Sequence, residues 1–437
     1  MKKTNISILL SLLFSFMLVA QSNNTYLIKA GKVFNSEKGV FVKNQQILVQ
    51  GKIIKKIGAN IKVDKRTKII DLSGYTVLPG LIDSHTHILE QFAMNKNNTA
   101  GTLENIFTKD DAYRALRSVG LLKSYLTSGF TTIKDVGNSG KFLDVSLKRA
   151  VKDGLIKGPR IIAAGPIMSS VGGQFPGILS EYDFIPATEY RIIKSPDDAR
   201  FAVREHINYG VDVIKICADN SPNNTALTYD EIKAIVETAH RFNKKVSAHA
   251  TKTLSITDAL NAGIDGIDHG YGISDELLKV MAQKGTYLIP TDYHVAPIGI
   301  KYHALNGWTK QRTNKLKKKL NHRLNFAINN NVKIAFGADI YVDFKVPRGD
   351  AAKNVFNAYL DAGASANQIL QYATYNAADF LGYKNKLGII KSGATADIVA
   401  FKGDLEKDFN KIFNNADLVI KNGKIIINKI TPSKGNK

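Results

Sequence analysis

The chain has one cysteine, Cys217, in 437 residues, and few acids: 38 against 60 lysines and arginines. A single cysteine excludes any disulfide within the chain, so stability has to come from an apolar core or from bound metal. No internal repeat and no low-complexity tract stands out. The longest charge-free apolar stretch, Ile6 to Ala20, is short of the ~20 residues that a membrane span needs. The net charge of +22 comes mainly from lysines spread along the chain. The densest cluster is "KLKKKLNHR", Lys315 to Arg323, where Leu316, Leu320 and Leu324 recur four residues apart. That spacing predicts a helix with one buried stripe and a solvated basic face. No aromatic residues interleave with these lysines, as a groove for single-stranded nucleic acid would require, so no nucleic-acid partner is expected.

What is present begins with a leader. Lys2 and Lys3 precede the apolar run, and polar residues follow at Gln21 to Asn24. This is the layout of a secretory signal peptide, assigned to residues 1–20, and it predicts a secreted or periplasmic protein. Leu18 and Ala20 stand where a cleavage site prefers small residues, so an uncleaved anchor is the alternative. No cysteine lies nearby to carry a lipid.

Two textures follow. Residues 21–78 and 385–437 alternate apolar and polar residues between glycine and asparagine turns, and are expected to meet as one small β-sandwich. Between them, residues 79–384 alternate strand and helix patterns. "LPGLIDSHTH", "TTIKDVG", "PRIIAAG", "VDVIKIC", "KVSAHA", "IDGIDHG", "TYLIPTD" and "VKIAFGAD" read as strands. Amphipathic helices separate most of them, one with Thr228 at its N-cap and Glu231 at the capping-box position. About eight such strands predict an α/β fold of the (β/α)8 TIM-barrel type.

The strand ends carry the chemistry. In "VLPGLIDSHTHILE" an apolar run drives into His85 and His87, two residues apart. Side chains at that spacing share a strand face, at the end where barrel active sites lie, and two imidazoles there can hold a divalent metal. A hydrogen-bonded structural pair is the plainer alternative. Lys215, between two isoleucines, is costly if buried and unpaired; it implies an edge strand, a salt bridge or carboxylation of its amine. His249, His269 and Asp339 each end a strand. Any one alone would more readily be structural, but all in order along successive strands point to a metal site.

These motifs, "GLIDSHTH", "DVIKI", "AHA", "DHG" and "FGAD", resemble the metal-ligand motifs of the amidohydrolase superfamily, and the resemblance covers nearly the whole chain after the leader. Within it the chain is most similar to the branch of Xaa-Pro dipeptidases, amino-acid carboxypeptidases and imidazolonepropionase-like proteins. The resemblance implies two divalent metals: His85, His87 and Asp339 on one, His249 and His269 on the other, a carboxylated Lys215 between them. Zinc suits these ligands, with manganese or iron also compatible. Asp339 would be the proton carrier. The implied activity is hydrolysis of an amide bond in a small dipeptide or N-acyl amino acid. The rivals are a cyclic-amide hydrolase and a non-catalytic binding protein on the same barrel. The oligomeric state stays open, a homo-oligomer included.

The chain also departs from the pattern. Relatives of the dipeptidase type carry a histidine after the third strand that helps polarise the substrate carbonyl; here Gln174 stands in "VGGQFPG" and can donate a hydrogen bond but not become cationic. Tyr229 stands where such relatives place a tyrosine for the substrate carboxylate, with local helix packing as the alternative. Arg191 is expected in a surface ion pair and Cys217 as a small buried residue. Tyr293 and His294 are candidates to line the pocket. His206, His240, His303 and His322 are expected to be structural or exposed.

Overall fold

The computed structural model describes residues 25–175 and 177–430; the leader lies outside them. Among the described residues no helix is long and apolar enough to cross a membrane.

The chain's two ends meet, but in one continuous sheet. Its strands run in the order Lys424–Asn428, Leu418–Lys421, Ile398–Lys402, Lys68–Pro79, Thr25–Asn35, Val40–Gln50, Ile53–Gly58. Every pair is antiparallel except Thr25–Asn35 with Lys68–Pro79. The alternating pattern explains the sheet: one face supplies Ile28, Ile47, Val49, Leu72, Ile398 and Ile420 to a core of its own. The joining of the two ends is the part of the expected β-sandwich that the sheet bears out.

Lys68–Pro79 runs through Gly80 straight into Leu81–Thr86, which is buried along its whole length. Gly80 is required there, because a Cβ would stand 2.0 Å from Thr131 Oγ1. Leu81–Thr86, Phe130–Asp135 and Arg160–Ala163 form one parallel sheet. A second holds Ile167–Ser169, Ile214–Cys217, Val246–Ala250, Gly266–His269, Tyr287–Ile289 and Lys333–Ile334 in parallel order, with Tyr190–Ile192 at its edge. The segment from Arg160 to Ser169 serves both sheets, so the two are continuous there. At the other seam Ser84 N donates to Phe336 O at 2.9 Å and Asp339 N to His85 O at 2.9 Å. These strands are near-continuous apolar runs because helices cover their outer faces.

The helices follow their sequence signals. Tyr229–Arg241 starts at Thr228 with the full capping box to Glu231. Lys310–Asn329 buries Leu320 and Leu324 and exposes its lysines at 310, 315, 318 and 319.

Candidate metal centre

All the strand-end residues singled out above converge on one cavity of about 1010 Å³. His85 and His87 leave the first parallel strand on the same side, with ring centroids 5.3 Å apart. Asp339 lies between them: its Oδ1 is 3.4 Å from His85 Nε2 and 3.2 Å from His87 Nε2. The His269 ring is 5.0 Å from that of His85 and 4.5 Å from that of His249. His85, His269 and Asp339 each offer a ligand atom within 4.8 Å of the others.

Local backbone sets these directions. His269 has φ +69° and Asp339 φ +56°, left-handed values that few side-chain-bearing residues adopt. Such departures gather at functional sites, where the surroundings over-determine them. Close packing does so here. A Cβ on Gly337 would meet Ile289 Cγ2 at 2.4 Å and His85 Cβ at 2.8 Å, so "FGAD" needs its glycine to bring Asp339 against the first strand. Asp83, two residues before His85, accepts from Ala338 N at 3.0 Å and ties the same two segments; burial raises its carboxyl to about 8.

The donors suit a cation. His87 Nδ1 is bonded to Gly137 O at 2.9 Å and His269 Nδ1 to Thr291 Oγ1 at 2.6 Å, which leaves the Nε2 atoms for other partners, that of His87 facing Asp339. Burial lowers the imidazole of His249 to about 4 and that of His269 well below its usual range, so both rings are neutral, as ligands must be. Burial alone would raise the Asp339 carboxyl, but His85, His87 and His269 hold it well below the carboxylate range. His87 is the exception: burial lowers it, yet Asp339, Glu90 and Asp135 together raise it. A cation placed on that ring would answer the same acidic field. His85 Nδ1 and Asp268 Oδ1 are buried 3.1 Å apart without hydrogen-bonding geometry, two polar atoms that the protein alone leaves unsatisfied.

Lys215 is buried on a central strand but not unpaired. Its ammonium is hydrogen-bonded to Asp268. Of the readings left open for this lysine, the structure has the salt bridge and excludes the edge strand. Asp268 was not among the expected residues, because alternation points it away from His269; the left-handed backbone at His269 breaks that alternation and brings both inward. Lys134 was missed too. It is buried beneath the site, bonded to Ser247 Oγ at 2.7 Å, and burial lowers its amine to about 8.

The remaining candidates divide. Gln174 lines the cavity, its amide nitrogen 3.0 Å from His249 Nε2. Tyr229 does not: it is exposed in the first turn of its helix, outside the cavity lining, so the structure does not bring it to the site. Arg191 is held by Asp198 and Glu205 at 2.7 and 2.9 Å, as an ion pair. Cys217 is buried, and burial raises its thiol to about 12. Tyr293 is buried behind the cavity wall, its hydroxyl 2.7 Å from that of Tyr341. His206 is structural, bonded to Pro166 O at 2.8 Å, while His240 and His322 pair with Asp265 and Asp275 near the surface. His303 is buried and held by its neighbours, as a structural histidine would be. It lines the cavity beside His294, whose Nδ1 is 2.8 Å from His303 Nε2, and it stacks on Trp308 at 3.9 Å. Only the fold brings these three together, since "YHVAPIGIKYHALNGW" shows no ligand spacing.

A family model described as the amidohydrolase family matches residues 76–426. An ochratoxinase of Aspergillus niger is 27% identical over 421 residues, covering 90% of this chain and 84% of its own. An imidazolonepropionase of Clostridium tetani is 24% identical, covering 92% of this chain and 94% of its own. Among solved structures, a Xaa-Pro dipeptidase with methionine in its active site matches with a TM-score of 0.80 and 28% identity, over 92% of this chain and 100% of that one.

Proposed function

Because the chain belongs to the amidohydrolase family, whose members hydrolyse amide bonds, we propose that it is a binuclear metal-dependent hydrolase of small dipeptides or N-acyl amino acids. The observation that carries this reading is the convergence of His85, His87, Lys215, His249, His269 and Asp339 in one large cavity. The hydrogen bonds at both seams of the two parallel sheets support a closed (β/α)8 barrel with this cavity at its mouth, and the terminal sheet folding over its own core as a sandwich. The leader supports export.

In this reading His85, His87 and Asp339 hold one cation and His249 and His269 the other. Lys215, carboxylated on Nζ, would supply carboxylate oxygens to the same site. The chemistry that bound zinc would supply to these nitrogen and oxygen donors is Lewis acidity toward a carbonyl and a lowered pKa for water. The protein's own part is positioning and proton transfer. Asp339 is anionic and within reach of the floor of the cavity, so its carboxylate accepts the proton of the attacking water and delivers it to the leaving nitrogen. Gln174 donates a hydrogen bond near His249, in the region where the substrate carbonyl would lie. Its amide cannot add positive charge there.

A second reading, a cyclic-amide hydrolase with one metal, is favoured by one observation: the likeness to an imidazolonepropionase extends over 92% of this chain and 94% of that one. A screen of dipeptides, N-acyl amino acids and cyclic amides, with zinc and bicarbonate supplied, separates the two. The first reading expects release of amines from the linear substrates and two zinc ions per chain. Turnover of cyclic amides alone, with one zinc ion, would put the second reading in its place. A protein that binds substoichiometric zinc and cleaves nothing would be a binding protein.

A further inference from the structure

The residues nearest the metal ligands leave one question open: what holds the far end of the substrate. Both residues suited by sequence to a substrate carboxylate are elsewhere, Tyr229 outside the cavity and Arg191 committed to two acids. Two cationic side chains line the cavity, Lys215 and Lys319. Lys215 is paired with Asp268. Lys319 has no carboxylate partner and no hydrogen bond among the described residues, and it stands at the rim.

The position of Lys319 is built rather than incidental. Its helix, Lys310–Asn329, is tied to the site at Arg323, which bonds to the backbone oxygen of His269 and to the carboxylate of Asp292. Leu320, the next residue after Lys319, packs in one cluster with Val295 and Ala296, which follow His294. The helix thus brings Lys319 to the wall that carries His294. That wall is stiffened in turn. The His303 ring lies against Trp308 at 3.9 Å, Arg312 sits over Trp308 at 3.9 Å, and His303 fixes His294 through the 2.8 Å hydrogen bond. One ring nitrogen of His294 is used by His303; the other, Nε2, has no partner among the described residues, on a side chain that lines the cavity. Its ring neighbours are Tyr271, Tyr293 and His303, and the acid whose charge reaches it is Asp339, itself a candidate metal ligand.

We propose that Lys319 and His294 form the subsite for an anionic oxygen group of the substrate, a free carboxylate at the end remote from the metal centre. The inference rests on the proposed hydrolase reading and sharpens it: the preferred substrates are free acids. Lys319 contributes charge and His294 a neutral hydrogen bond. His303 is a positioning residue, because it acts through His294. An ammonium facing a carboxylate at a partly solvated rim supplies about a tenfold preference, the scale of a charged hydrogen bond discounted for exposure.

The test is a binding measurement that needs no turnover. Calorimetry on the full-length, zinc-loaded protein compares L-proline, a product of the proposed reaction with no amide bond to cleave, with L-prolinamide. The acid is expected to bind about tenfold more tightly than the carboxamide. In Lys319→Gln the ratio of the two affinities should fall toward one, and in Lys319→Arg it should return. His303→Phe, which keeps a ring against Trp308 but removes the bond to His294, should lower the affinity for the acid several-fold; His303→Gln, which can still make that bond, should restore part of it. An acid preference unchanged in Lys319→Gln, or absent from the wild-type protein, overturns the subsite. A Lys319-dependent preference in a protein that cleaves no amide leaves the subsite standing and overturns the hydrolase reading alone.

Discussion

At the floor of the cavity the polar side chains come from strand ends and touch one another; at the rim they come from helices and connections and touch aromatic rings. On the floor, Lys215, Asp268, His85 and Asp339 are all buried, and each is the charge partner or neighbour of the next. At the rim, His294 and His303 lean on Tyr271, Tyr293 and Trp308, and Lys319 reaches solvent. The difference teaches where losses will be large. Removing one member of a buried charged set strands its partner, at about 3–5 kcal/mol. Removing a rim residue lets water take its place, at about 1 kcal/mol.

The floor therefore predicts the largest effects. His87→Ala removes a ligand candidate and leaves Asp339 short of a neighbour; kcat/KM should fall about a thousandfold or more, with loss of bound zinc, the scale of a buried partner lost. Lys215→Ala should fall as far, and its rescue decides what Lys215 is. A carboxylated lysine is an anion, so acetate should restore part of the activity and of the second metal. A plain ammonium serves only as the cation beside Asp268, so methylamine, not acetate, would be the rescuing molecule. Kinetics and metal content measured with each additive read the answer directly.

Floor and rim also differ in how far sequence reaches them. The candidate residues of the floor were legible because strand ends are marked by composition: an apolar run stops, and a histidine or aspartate follows. The family resemblance, not the residues alone, put His85 and His87 of the first strand with Asp339 of the eighth. Asp268 was not legible, since its inward direction depends on a backbone turn at His269 that no residue type announces. The stack of His303 on Trp308 was not legible either, because it joins a helix to the loop beyond it by tertiary packing alone. Tyr229 went the other way. Its place in the chain fitted a substrate ligand, but a capping box starts the helix at Thr228 and leaves the tyrosine facing solvent.

Gln174 stands between the two zones and predicts an intermediate effect. It is half-buried, and its amide touches His249 while the hydroxyl of Tyr190 lies 3.4 Å from its Oε1. Gln174→Ala should lower kcat/KM about tenfold, the loss of one hydrogen bond near the reacting carbonyl, with zinc content unchanged. A thousandfold loss, or loss of zinc, would move Gln174 onto the floor with the ligands.

Tyr229→Phe should do almost nothing, and that is the sharpest test of the boundary between site and surface. The hydroxyl is the only group removed. The side chain is 37% exposed, at the first position of Tyr229–Arg241, and does not line the cavity. The helix start depends on its neighbours: the Thr228 hydroxyl accepts from Glu231 N at 3.3 Å, and the Glu231 carboxylate accepts from Thr228 N at 2.9 Å. Losing that cap in Thr228→Ala should cost about 1 kcal/mol of stability. Losing the tyrosine hydroxyl should stay within about 0.5 kcal/mol, as for other surface changes, with kcat/KM altered by less than about twofold. Thermal unfolding and kinetics on the two variants check both statements. A KM raised tenfold in Tyr229→Phe, specifically for free acids over carboxamides, would mean that the loop before this helix closes over the substrate and that the carboxylate is bound there rather than at Lys319.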